Sequence, residues 1–206
     1  MEGLPQDRLK RPEKGRSRRF AAAVIGGSAG GINAVTTIVS ALPASLPLPV
    51  VVVLHQSPGE PLGWVEYLGR HASLPVVEAE DKMPLSAGMI HCAPAGYHLL
   101  LETDGTLALS VDEKVNFTRP SIDLLFASAA DAFGPALIGI VLTGANGDGA
   151  RGLAEIAAAG GLVMVQSPRT AEWRVMPEAA LQAAPQALVV DLEEIAEKLA
   201  ELSLAQ

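Results

Sequence analysis

Cysteine occurs once in the 206 residues, at Cys92. That excludes a disulfide framework and a cysteine-rich metal site, and it fits a reducing cytoplasm. No apolar run reaches the ~18 residues that a membrane-spanning helix needs, and residues 1–20 lack the apolar centre of a signal peptide. These absences point to a cytoplasmic chain with no membrane insertion. Positive charge is scarce outside one stretch: Arg8, Lys10, Arg11, Lys14, Arg16, Arg18 and Arg19 supply seven of the 15 basic residues. Residues 20–206 keep 8 basic against 20 acidic groups, a body that repels nucleic acid and anionic membranes. Residues 1–19 are charge-rich and apolar-poor, so they read as a basic disordered leader with too little apolar surface to offset the entropy of ordering. Such a leader is suited to touching an acidic partner.

A hydrophobic content of 49% suffices for one buried core and leaves little for a second, so residues 20–206 read as one domain. From Phe20 onward short apolar runs alternate with helical segments, the pattern of β-α units around a parallel sheet covered on both faces. Strands are expected at Phe20–Ile25, Pro49–Leu54, Val76–Ala79, Ala136–Leu142, Leu162–Gln166 and Leu188–Val190. Helices are expected at Ala29–Leu42, Leu62–Arg70, Ser121–Ala132, Gly149–Ala159, Pro177–Ala183 and Leu192–Leu202. One segment breaks the rhythm. Met89–Ala93, Tyr97–Glu102 and Thr106–Val111 are strand-like, and Asp104-Gly105 is a two-residue hairpin signal. The expected fold is therefore α/β: a doubly wound, mostly parallel sheet with helices on both faces and a small antiparallel β-hairpin insertion near residues 89–111.

Between the first strand and the first helix lies Gly26-Gly27-Ser28-Ala29-Gly30. A Gly-x-Ser-x-Gly turn in that context reads as a nucleophile elbow, whose glycines permit a tight turn that aims the hydroxyl outward. The competing reading is a glycine-rich phosphate cradle at a helix N-terminus. A dinucleotide fingerprint needs glycine where Ser28 stands and an acidic residue at the end of the next strand, but that strand, Pro49 to Leu54, runs into His55. A P-loop needs Gly-Lys-Ser/Thr after the turn, which is absent.

In open α/β sheets ligands bind beyond the carboxyl ends of the strands, and few polar residues stand there. His55 follows Val50–Leu54, and imidazole can take the Ser28 proton and later return it to a leaving alcohol. The following Gln56-Ser57-Pro58-Gly59 reads as a loop. Asp148, in the glycine-rich run Gly144–Gly152 after the strand Ala136–Leu142, is the candidate carboxylate to orient the imidazole. It could instead cap the helix that follows it. His91 and His98 alternate with apolar neighbours and read as surface or structural; Asp104 belongs to its turn, and Asp123 and Asp131 to helix faces. The order Ser…His…Asp differs from the Ser…Asp…His of ordinary α/β-hydrolases, but such triads are recognised by geometry. The turns at Ser28–Gly30 and Gly144–Gly147 can supply backbone N–H groups to an oxyanion.

At these residues the chain resembles the catalytic domain of the bacterial chemotaxis protein-glutamate methylesterases, the CheB family. The resemblance runs from Ile25–Gly31 through His55, Pro58-Gly59, Glu78–Asp81, Ala93–His98, Arg119–Phe126, Leu142–Gly144, Asp148–Ala150 and Met176-Pro177, in family order over about residues 20–200. It implies hydrolysis of γ-glutamyl methyl esters on cytoplasmic domains of methyl-accepting chemoreceptors, with methanol released and receptor glutamines deamidated as a side activity. It also implies Ser28 as nucleophile, His55 as general base and acid, Asp148 as the orienting carboxylate, backbone oxyanion donors at Ala29 and Ala145, and no metal or cofactor. Two positions depart from the family: Ala29 stands where threonine is common, and Ala145 where methionine is common. The family's N-terminal receiver domain has no room in residues 1–19. The expectation is then a constitutive enzyme, or one regulated by a separate response-regulator or kinase-pathway protein. The alternative is a catalytically weak or silent adaptor that binds receptors or signalling proteins.

Overall fold

The computed structural model describes residues 19–55 and 63–204. The basic leader and the Gln56–Gly59 loop fall outside the described residues, apart from Arg19.

Among the described residues nine strands and six α-helices follow one another as β1 (Ala22–Gly27), α1 (Gly31–Ala41), β2 (Val50–Leu54), α2 (Trp64–His71), β3 (Val76–Glu78), β4 (Ile90–Cys92), β5 (His98–Leu101), β6 (Leu107–Ser110), α3 (Ile122–Phe133), β7 (Leu137–Val141), α4 (Ala150–Ala158), β8 (Leu162–Gln166), α5 (Val175–Ala183), β9 (Leu188–Val190) and α6 (Ile195–Leu204). Seven strands form one sheet in the order β3-β4-β2-β1-β7-β8-β9, and every pairing in it is parallel. The expected doubly wound α/β architecture is borne out.

Continuous apolar runs make the central strands because both of their faces are covered. Along β2, Val50, Val52 and Leu54 join the core layer that holds Val35, Ile38, Leu68 and Leu199 of α1, α2 and α6. Val51 and Val53 join the opposite layer, with Ile122, Phe126, Ile156 and Ala180 of α3, α4 and α5. In α1 the buried residues Gly31, Ala34, Val35, Ile38 and Val39 recur at three- and four-residue steps, a single apolar stripe on one side of the helix.

The expected insertion is narrower than the sequence suggests. Ile90–Cys92 does not belong to it: β4 lies in the main sheet between β3 and β2, with Ile90 opposite Val50 and Val76. Its three residues are all buried, so no inside-outside alternation distinguishes it from a hairpin strand. Among the described strands only β5 and β6 pair antiparallel. Their turn is also longer than the two residues expected. Gly105 N–H donates to Glu102 O and Glu102 N–H to Thr106 O, and Gly105 takes φ 82°, the three-residue loop in which a left-handed residue follows a type I turn. Leu99, Leu101 and Leu107 of this ribbon pack in the same layer as Val51 and Val53.

Cys92 is buried in β4, and burial pushes its thiol far above the ordinary range, with Glu78 adding to the shift.

Strands β2, β1 and β7 are neighbours at the centre of the sheet. The chain winds from β1 toward β2 on one side and continues from β7 toward β8 on the other, so a crevice opens at their carboxyl ends. The loops after these three strands carry Ser28, His55 and Asp148.

Candidate active site

The turn after β1 is held from three sides. Ser28 N–H donates to Thr143 O at 3.0 Å, Gly31 N–H donates to Ser28 O at 2.7 Å, and His55 N–H donates to Gly27 O at 3.2 Å. The loops that follow β1, β2 and β7 are thereby tied together through the main chain. A strained elbow places its nucleophile in unusual backbone, but Ser28 is not among the residues with positive φ; that conformation falls on Gly30, at φ 75°. That left-handed backbone is what favours glycine at this position.

Ser28 Oγ lies 3.2 Å from His55 Nδ1, and His55 Nε2 lies 2.8 Å from Asp148 Oδ2. The three side chains proposed from the sequence are thus joined in a relay. An ionised carboxylate can only accept hydrogen bonds, so Nε2 carries the imidazole proton and Nδ1 presents its lone pair to the serine. In the chymotrypsin-type triad the other nitrogen faces the serine; here the ring is turned end for end.

Asp148 is 1% exposed. Burial alone would push its carboxyl up, but the His55 hydrogen bond, the Ile122 N–H, the nearby His55 charge and the Asn116 amide together outweigh it and hold the group at about 2. Oδ2 accepts Ile122 N–H at 2.7 Å; Oδ1 accepts Ser121 Oγ–H at 3.0 Å, Asn116 Nδ2–H at 3.1 Å and Asp123 N–H at 3.2 Å. Charge-assisted bonds of this kind are stronger than neutral ones.

The helix that Asp148 caps is not the one that follows it. Ile122 and Asp123 open α3, whose own N-cap residue, Ser121, makes no side-chain cap. Asp148 fills that role from a loop 26 residues away. Asp123 in turn is buried, and its Oδ1 accepts Gly149 N–H at 2.9 Å and Gly152 N–H at 2.8 Å at the start of α4. Burial raises the Asp123 carboxyl above its ordinary value; the Gly152 N–H opposes the rise, and the Asp148 charge adds to it. Asn116 Nδ2 donates to both carboxylates, at 3.2 Å to Asp123 Oδ2 and 3.1 Å to Asp148 Oδ1. The expectation that Asp123 serves only a helix face is corrected by these bonds. Close approach of the helices makes this possible, because a Cβ on Gly152 would fall 2.6 Å from Phe126 Cβ and 2.9 Å from Asp123 O.

Around Ser28 the backbone offers donors. Among the described residues neither the Ala29 nor the Ala145 N–H has a hydrogen-bond partner. Thr143, which the sequence reading passed over, is 1% exposed and fixes their surroundings. Its N–H donates to Gln166 Oε1 at 2.8 Å, its hydroxyl donates to Ala29 O at 3.0 Å, and it accepts Trp173 N–H at 2.8 Å. Asn146, also passed over, accepts Asp148 N–H on Oδ1 at 3.0 Å and places Nδ2 3.3 Å from His55 Nδ1. The available signal was its place beside Asp148 in the same glycine-rich loop.

The other histidines stand apart. His98 is fully buried rather than superficial, accepting Ser121 N–H on Nδ1 at 3.1 Å and donating from Nε2 to Glu113 O at 3.0 Å. His91 is buried and accepts Ser86 N–H on Nε2 at 3.2 Å; burial lowers its basicity. No group of three or more His, Cys, Asp or Glu side chains among the described residues is arranged to hold a metal ion.

A parallel α/β sheet with serine, histidine and aspartate hydrogen-bonded in series at its carboxyl edge has the arrangement of the serine hydrolases. The chain belongs to the CheB methylesterase family, whose family model matches residues 23–199. It is 47% identical over 181 residues to a Leptospira interrogans protein provisionally named protein-glutamate methylesterase/protein-glutamine glutaminase, covering 86% of this chain and 92% of that one. It is 36% identical over 166 residues to the Myxococcus xanthus protein-glutamate methylesterase FrzG, covering 80% of this chain and 50% of that relative. The crystal structure of the Thermotoga maritima CheB methylesterase catalytic domain superposes with a TM-score of 0.84 at 32% identity, over 89% of this chain and 98% of that one.

Proposed function

We propose that the chain hydrolyses γ-glutamyl methyl esters on the cytoplasmic domains of chemoreceptors, with Ser28 as nucleophile, and deamidates receptor glutamines by the same route. The observation that carries this reading is the series Ser28 Oγ, His55 Nδ1, His55 Nε2, Asp148 Oδ2 at 3.2 and 2.8 Å.

Ser28 Oγ attacks the ester carbonyl carbon while its proton passes to His55 Nδ1, and the carbonyl π pair moves onto oxygen. The backbone N–H groups of Ala29 and Ala145 are the donors for that oxyanion. The pair returns, the bond from carbon to methoxy oxygen breaks, and His55 gives its proton to the departing oxygen, releasing methanol. A water then attacks the acyl-serine, with Nδ1 accepting its proton, and collapse returns that proton to Ser28 and frees the glutamate. Asp148 stays ionised throughout, stabilising the imidazolium and holding its Nε2–H tautomer. A primary amide in place of the ester releases ammonia by the same steps.

The test is methanol release from a methylated chemoreceptor cytoplasmic fragment by the parent chain, Ser28→Ala and His55→Ala, with folding matched by circular dichroism. Release by the parent that falls by at least ~10³-fold in both folded variants is expected. Release that survives Ser28→Ala overturns the serine mechanism. A folded parent that releases nothing from several receptors while still binding them favours the adaptor reading.

A further inference from the structure

Two donors converge on one lone pair. His55 Nδ1 has Ser28 Oγ at 3.2 Å and Asn146 Nδ2 at 3.3 Å. The orientation of the Asn146 amide is fixed from its other end, because Oδ1 accepts Asp148 N–H at 3.0 Å. The amino group therefore faces the imidazole. In the neutral ring Nδ1 can accept only one good hydrogen bond, so Asn146 competes with the serine hydroxyl in the resting enzyme.

Proton transfer reverses that relation. Once Nδ1 holds the Ser28 proton it becomes a donor, and two N–H groups then face each other across 3.3 Å. The Asn146 amide loses its acceptor at the step that creates a negatively charged oxygen on the carbon bonded to Ser28 Oγ. We propose that the Asn146 side-chain amide is an oxyanion donor, parked on His55 Nδ1 at rest and transferred to the developing alkoxide as that nitrogen is protonated. It supplements the backbone amides of Ala29 and Ala145. A donor whose bond to the substrate exists only after the nucleophile has attacked accelerates the chemical step without tightening ground-state binding. The inference rests on the serine mechanism above.

Asn146 also supports its own loop, so the experiment separates the two ends of its side chain. Asn146→Ala removes both bonds. Asn146→Ser leaves an oxygen that can accept the N–H two residues on, as short hydroxyl side chains do in turns, and is too short to reach His55. Each variant is assayed for methanol release from the methylated receptor fragment and for the rate at which a fluorophosphonate acylates Ser28. The second reaction builds negative charge on a phosphoryl oxygen at the same place and needs no receptor.

The expected result is a fall of about 10²-fold in kcat in both variants, a KM within about twofold of the parent, and a comparable fall in the fluorophosphonate rate. Recovery of the parent kcat by Asn146→Ser overturns the proposal and leaves Asn146 a loop-holding residue. So does an unchanged fluorophosphonate rate in both folded variants. If the parent chain releases no methanol, the receptor-ester reading fails, and the fluorophosphonate rates still decide the role of Asn146.

Discussion

Asp148 and Asp123 cap each other's helices: Asp148 accepts the first N–H groups of α3, in which Asp123 lies, and Asp123 accepts N–H groups at the start of α4, which Asp148 precedes. The carboxylate paired with His55 is therefore also a structural cross-link between two helices, and substitutions there act on chemistry and stability together.

Replacing Asp148 with asparagine is expected to lower kcat by roughly 10⁴-fold, because the imidazole loses the acceptor that sets its tautomer. The same substitution should lower stability by about 1–3 kcal/mol, since an amide cannot accept all the donors gathered on the carboxylate. Urea unfolding beside the methanol assay checks both. A loss of activity with unchanged stability would mean that the capping bonds to α3 contribute nothing.

Asp123 separates cap from charge. Asp123→Ala is expected to cost about 1–2 kcal/mol through the lost α4 cap. Asp123→Asn keeps an oxygen for Gly149 and Gly152 and removes the repulsion against Asp148, but its amino group then faces Asn116 Nδ2 and Arg151, so its stability should fall between that of Asp123→Ala and the parent at pH 7. Thermal unfolding of the two variants side by side decides it.

Acid unfolding should follow Asp148. Its folded value, about 2, lies below the 3.8 of an ordinary aspartate, so its contribution to stability is complete above about pH 4 and is lost as pH falls toward 2. By linkage the contribution is roughly 2 kcal/mol. Asp123 acts with the opposite sign, because its raised value means that ionisation opposes folding as pH rises. Unfolding free energies measured from pH 5 to 2 should drop more steeply for the parent than for Asp148→Asn. Equal slopes would assign the acid lability to other carboxylates.

Gly26→Ala tests how α3 is seated. A Cβ there would fall 2.2 Å from Ile122 Cγ2, forcing the N-terminus of α3 away from β1 and with it the donors to Asp148. A loss of about 1–3 kcal/mol is expected from the overpacking, together with reduced turnover. Adding Ile122→Ala should recover part of the turnover by freeing the space. Failure of the double variant to recover any turnover would separate helix seating from activity.

The positions of Ser28, His55 and Asp148 were legible because each follows a strand whose apolar run is unmistakable, and polar residues past such strands are few. Their supporting groups were not. Asn116 takes φ 50° and the neighbouring Phe117 φ 65°, a left-handed pair with no glycine to signal it; main-chain bonds between Val115 and Thr118 close the turn, and Asn116 Nδ2 ties it to Asp123 and Asp148. Asp123 carries the ordinary pattern of an acidic residue in a first helical turn, and the groups that redefine it arrive from beyond residue 148. The sheet to which β4 belongs is not legible, because its three buried residues show no alternation and the strong hairpin signal at Asp104-Gly105 follows close behind them.

Cys92 gives the molecule a built-in reporter. The side chain of this single cysteine is buried in the core layer shared with α1, α2 and α6 and its thiolate is suppressed, so a thiol reagent can reach it only when that layer opens to solvent. The alkylation rate under native conditions therefore counts openings of that layer, and any substitution that loosens the site without loosening the layer should leave that count unchanged.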